Sequence, residues 1–102
     1  MAERTCPIAE AARLLGDKWT LIILRDLADG PRRFGALGLS IEGISPSMLT
    51  ARLRELESRG IVTRTSYNEI PPRVEYALTA KGRDALPVLD ALRVCGRKWL
   101  AG

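Results

Sequence analysis

The chain contains no histidine, so it lacks the commonest general base and the commonest metal ligand. Cysteine occurs only twice, as Cys6 and Cys95 near opposite ends. Two thiols so placed do not make a zinc site, and in a cytoplasmic chain they read as thiols rather than as a fixed structural bridge. A Gly-rich phosphate loop and a Gly-x-Ser-x-Gly elbow are both missing. An enzyme is therefore not expected, nor a metal, nor a cofactor. Apolar residues run no further than Leu21-Ile22-Ile23-Leu24, far short of a bilayer span. With no basic, apolar-cored leader in front of that run, a cytoplasmic protein without a membrane partner is expected. Repeats, low-complexity segments and linkers are absent as well.

What is present fits one domain. The 102 residues are 46% hydrophobic and 27% charged, enough for a single core but not for two. The net charge of +4 suits a polyanionic partner without requiring one. The chain is organised around Ile44 to Gly60. Ser45 can cap a helix there, Pro46 suits its first position, and Gly60 can end it in the left-handed conformation. Leu49, Leu53 and Leu56 recur on one side as a stripe to be buried. The other side offers Ser47, Thr50, Ala51 and Arg54, small residues with hydroxyl and guanidinium donors, as a helix lying in a DNA groove requires.

The remaining elements follow from periodicity and punctuation. Pro7 opens a helix with Ile8, Ala11, Ala12 and Leu15 at helical spacing, and Gly16 closes it. Asp17 can cap a second helix to about Ala28, whose face of Trp19, Ile22, Ile23 and Leu27 is expected at the centre of the core. Asp29-Gly30-Pro31 is a turn. Arg32-Arg33-Phe34 suggests a short strand before a brief helix from Gly35 to Leu39, which Gly38 could shorten. After Gly60 the period changes to two: Ile61–Tyr67 and the alternating Val74, Tyr76 and Leu78 predict antiparallel strands, joined through Asn68-Glu69-Ile70-Pro71-Pro72. Thr79 caps a last helix from Ala80 to about Leu100, with a kink or break expected at Pro87. Met1 to Thr5 reads as a loose arm. This order, mainly helical with a small antiparallel β-wing, is that of a winged helix-turn-helix domain.

Several segments together resemble the HxlR-type family of bacterial winged-helix transcription regulators. They are Cys6-Pro7-Ile8, Gly16-Asp17-Lys18-Trp19-Thr20, Leu21 to Arg25, Asp29 to Phe34, Gly43 to Leu49, Leu53 to Glu57, Pro71 to Tyr76 and Leu78-Thr79, in order along nearly the whole chain. The resemblance implies a homodimer, paired through its first and last helices, on a pseudo-palindromic double-stranded DNA operator. It also implies that the helix after Ser45 and the wing contact the DNA.

The expected DNA contacts are Ser45, Pro46, Ser47, Met48, Thr50, Arg52 and Arg54, because the N-terminal part of such a helix reaches base edges. Ser45 could equally be only a cap, Arg54 could pair with a glutamate, and Arg52 could cover core. Arg73 is expected to project from the wing toward phosphate or the minor groove, against the alternative of pairing with Glu69 or Glu75. Asn68 is a weaker wing candidate. Arg33, Arg32 and Lys18 could touch the DNA backbone or simply be solvated. On the last helix Leu86, Leu89 and Leu92 form one apolar stripe, and Val88, Ala91, Cys95 and Trp99 another. A small monomer has a core for only one of them. Cys6 lies at the positive end of a helix with Arg4 close in sequence, the surroundings of a reactive thiol. Some members of the resembled family sense oxidants or electrophiles with a cysteine there. Cys6, modified alone or bridged to Cys95 of the other subunit, is thus a redox candidate, and a small apolar packing residue is the alternative. A small-molecule effector between subunits, or a winged helix used only for protein contacts, are the remaining readings.

Overall fold

Local signals at the helix ends set most of the boundaries. A computed structural model describes residues 6–102, and the segment expected as a loose arm, with Arg4, lies outside them. The order is α1 (Pro7–Leu15), α2 (Lys18–Leu27), β1 (Arg32–Arg33), α3 (Phe34–Ser40), α4 (Pro46–Ser58), β2 (Val62–Tyr67), β3 (Arg73–Leu78), α5 (Ala80–Arg83) and α6 (Leu86–Ala101). Asp17 caps α2, accepting hydrogen bonds from the Thr20 N–H at 2.9 Å and the Thr20 hydroxyl at 3.2 Å. Ser45 caps α4 by accepting from the Met48 N–H at 3.1 Å, with Pro46 in the first turn.

The end of α4 is a Schellman closure. Gly60 has φ +75, its N–H donates to the Glu57 carbonyl, and the Ile61 N–H donates to the Leu56 carbonyl at 2.9 Å. Both orphan carbonyls are thereby satisfied while Ile61 folds back onto Leu56 in the core. Thr79 then ties this corner to the next helix. Its N–H donates to the Ile61 carbonyl, its hydroxyl donates to the Gly60 carbonyl at 2.6 Å, and its oxygen caps α5 by accepting from the Gly82 N–H.

The strands form one antiparallel sheet in the order β1-β3-β2, with Val62 opposite Leu78 and Tyr67 opposite Arg73. The core lies between this sheet and α2, α3 and α4. It includes Ile23, Leu24, Leu27, Leu37, Leu49, Leu53, Leu56, Val62 and Tyr76. The α4 stripe is buried as its spacing predicts. Burying a leucine is worth roughly 1.5–3 kcal/mol, so docking, more than helix propensity, holds α4 in place.

Two expectations need correction. In α2 the fully buried residues include Leu24, while Trp19 and Ile22 are only half-buried. This helix is enclosed on more than one side, and Trp19 lies toward the turn before α4, 3.6 Å from where a Cβ on Gly43 would sit. Gly43 has φ +87, a conformation that glycine adopts without the steric cost of a Cβ. Gly38 does not shorten its helix, which runs from Phe34 to Ser40. The break expected near Pro87 is present: α5 ends at Arg83, and Pro87 sits in the first turn of α6, where its missing N–H costs nothing.

The apolar stripes of α6 also differ from their expected split. Leu89 is buried, but Leu92 is about half exposed, as is Val88, and Trp99 is 80% exposed. In α1 no residue is buried, and Ile8 is 80% exposed. An open apolar groove of about 600 Å³ runs between α1, α2 and α6, lined by Ile8, Ala11, Leu15, Leu21, Val88 and Leu92.

Candidate nucleic-acid interface

The cap and the leucine stripe together fix which side of α4 faces outward. Ser45, Pro46, Ser47, Ala51 and Arg54 are exposed, and Met48 and Thr50 are half-buried. Ser47, Thr50, Ala51 and Arg54 follow each other at spacings of three to four residues, so they share one face. Arg54 forms no salt bridge among the described residues, whereas the nearby Glu55 is taken by Arg59 at 2.9 Å. The Ser45 hydroxyl also lies 3.3 Å from that of Ser47. This face can donate hydrogen bonds to base edges and phosphates, with a full positive charge at its C-terminal end.

Arg52 is placed differently. Its guanidinium turns away from the exposed face and grips Asp17, Nε donating to Oδ2 at 2.8 Å and Nη2 to Oδ1 at 3.2 Å. Asp17 therefore caps α2 and anchors α4 at once. The Arg52 hydrogen bond, helped by those from Thr20, outweighs the opposing desolvation and lowers the Asp17 pKa to about 2. A carboxylate with a depressed folded pKa adds stability above its unfolded pKa, and loses it as pH falls through the folded one. The stability gap between the protein and Asp17→Asn, which keeps a good cap, should be constant near neutrality and close between about pH 4 and pH 2. Urea unfolding midpoints measured across that range check this.

Arg73 also departs from the expectation. It bends back into the wing, with Nη2 3.0 Å from Glu69, Nη1 3.6 Å from Glu75, and its guanidinium stacked 3.9 Å from the centre of the Tyr67 ring. These partners hold both charge and plane, so Arg73 braces the wing rather than projecting from it. Asn68 is exposed in the wing loop. Arg32 and Arg33 are exposed on β1 without ion pairs among the described residues, and Lys18 lies over the Trp19 ring at 4.8 Å.

One cation was missed by sequence reasoning. Arg64 on β2 is exposed and makes no salt bridge among the described residues. Pairing places Arg32, Tyr76 and Arg64 in one row across the three strands, so the two arginines flank the tyrosine on one side of the sheet. Strand alternation was the signal available: Arg64 shares parity with Val62, a core side, where an arginine is out of place.

Cys6 is exposed at the N-cap of α1, and Cys95 is half-buried on α6; both are free thiols. Groups of acidic, histidine and cysteine side chains able to hold a metal are absent among the described residues, as are helices long and apolar enough to cross a membrane.

Comparison with known proteins agrees with this geometry. The HxlR-like helix-turn-helix family model matches residues 14–102. An uncharacterized HTH-type transcriptional regulator of Synechocystis is 50% identical over 95 residues, covering 93% of this chain and 70% of that protein. Among solved structures, the redox regulator HypR in its oxidized form superposes with a TM-score of 0.86 at 38% identity, covering 91% of this chain and 96% of that one. The reduced form of the transcriptional regulator YodB from Bacillus subtilis gives 0.76 at 41% identity, covering 88% and 89%. With its capped α4, its wing and its three-stranded sheet, this chain belongs to the HxlR-like helix-turn-helix family of DNA-binding transcription regulators.

Proposed function

We propose that the chain acts as a cytoplasmic homodimer that reads a pseudo-palindromic operator with its two α4 helices and represses transcription by excluding polymerase. The observation that carries this is the outward α4 face of Ser47, Thr50, Ala51 and Arg54, the last without a salt bridge among the described residues, set against a buried leucine stripe. Pairing is supported by α1, which has no fully buried residue within its own subunit and leaves Ile8 exposed, beside the exposed Val88, Leu92 and Trp99 of α6. A two-fold pair would set the α4 helices one DNA turn, roughly 34–36 Å, apart. Arg64 and Arg32 add backbone charge beside the wing, and affinity should fall steeply with salt as counterions are released.

Arg54→Ala is expected to lower operator affinity at least tenfold while leaving the fold intact, since a good base contact is worth about 1–3 kcal/mol. Footprinting upstream of the neighbouring gene, followed by titration of that site with the variant, makes the measurement. Unchanged affinity would reduce Arg54 to a surface arginine and shift the reading face of α4.

A redox input is supported by the exposed Cys6 at the start of α1, on the proposed seam, and by the similarity to the redox regulator HypR. Modifying this thiol, or bridging it to the other subunit's Cys95, would alter the angle between the α4 helices. Diamide and quinones should then release the operator. If protein fully alkylated at Cys6 binds as before, the thiol is only packing.

A further inference from the structure

We infer that the Asp17–Arg52 pair is a positioning clasp that fixes the rotation of α4 relative to α1 and α2, and so sets which half-site spacing the dimer accepts. This rests on the reading of the chain as a dimeric operator-binding regulator.

A stripe of three leucines fixes how deeply α4 docks, but aliphatic contacts tolerate small rotations about the helix axis. A two-point charge-assisted grip does not, because both N–H···O bonds demand one plane. Arg52 lies on the flank of α4 between the leucine stripe and the exposed face. Rotation there would sweep Ser47, Thr50 and Arg54 sideways in a groove.

The other half of the clasp is anchored to a buried helix. Asp17 is held by two hydrogen bonds to Thr20 in the first turn of α2, a helix whose Ile23, Leu24 and Leu27 are fully buried. The same turn carries Trp19, whose ring lies against Gly43 in the turn before α4. One stretch of α2 thus holds both the turn and the helix that follows it. Immediately before Asp17, the Gly16 N–H closes α1 on the Ala12 carbonyl at 2.8 Å. A single residue therefore separates the end of α1 from the anchor of α4, although Asp17 and Arg52 are 35 positions apart. A shift of α1 would reach α4 through this link.

The test compares Asp17→Asn, Arg52→Gln, Arg52→Lys and the double variant Asp17→Asn/Arg52→Gln on operators whose half-sites are separated by added or removed base pairs. Each single variant should bind the native spacing roughly tenfold more weakly, and the double variant no worse than either, as expected for coupled partners. All should show a flattened preference among spacings, including Arg52→Lys, which keeps the charge but loses the fork. Were Arg52 instead a direct DNA contact, Asp17→Asn would leave affinity unchanged or raised while Arg52→Gln lowered it, and the clasp would be refuted. Lower stability with the spacing preference intact would also refute it. A readout without DNA separates this inference from the operator reading: amide residual dipolar couplings should show α4 reoriented against α2 in Asp17→Asn. An unchanged orientation overturns the clasp even if the operator reading stands. A changed one supports it even if no paired half-sites are bound.

Discussion

Leu92→Asp is expected to convert the proposed dimer to a monomer and to weaken operator binding at least a hundredfold. Leu92 is 46% exposed beside the groove that Ile8 and Val88 also line, so within one subunit a carboxylate there keeps access to water and the fold survives. Across the proposed seam the same carboxylate would be buried against apolar side chains without a partner, which is costly. Once the subunits part, each α4 binds one half-site alone, and the roughly 10²–10⁴-fold gain from joining two binding elements disappears. Sedimentation of the variant at micromolar concentration reads the first effect, operator titration the second, and thermal unfolding the intact fold. A variant that remains dimeric would move the seam away from α1 and α6.

Gly82→Ala is expected to destabilise the protein by about 3 kcal/mol, lowering its melting temperature by roughly 12–24 °C. Helix propensity alone argues the reverse, since alanine in a helix is favoured over glycine by about 1 kcal/mol. Packing decides the sign. An added Cβ on Gly82 would sit inside the contact distance of the Ile61 carbonyl oxygen, with the Ile61 side chain 3.2 Å away on the same side. That carbonyl is backbone, and it already accepts the Thr79 N–H. Moving it would also disturb the Ile61 N–H bond that closes α4. Calorimetry of the single variant is sufficient. Wild-type stability would mean that α5 can slide away from the start of β2 without cost.

These two sites differ in how visible they were beforehand. The surplus apolar residues of α6 could be counted in the sequence, because a small chain has few places to bury a second stripe. The split between stripes depended on where the core ends, because three-residue steps along α6 (Leu86–Ala101) fall short of a 3.6-residue turn and rotate Leu92 off the line of the buried Leu89, leaving it half exposed. Nothing near Thr79-Ala80-Lys81-Gly82 signals that a carbonyl from Ile61, over twenty residues earlier, lies against the glycine.

The arginines of the interface divide in the same way. Arg54 could be assigned to the open face from the leucine spacing alone. Arg52 and Arg73 were expected at the DNA and instead grip Asp17 and the Glu69–Tyr67–Glu75 cluster. A sequence shows that a cation is available, but not which anion the fold carries to it.

Local chemistry, then, was determined by the sequence itself. The Ser45 cap, the Gly60 closure, the buried face of α4, the change of period at the wing and the Thr79 cap all follow from interactions spanning a few residues. Tertiary structure alone decided the partners drawn from far along the chain: Asp17 for Arg52, Ile61 for Gly82, and Tyr76 between Arg32 and Arg64. Those depend on how helices and strands pack in three dimensions, where an ion pair or a forbidden methyl is set by angstroms rather than by spacing in sequence.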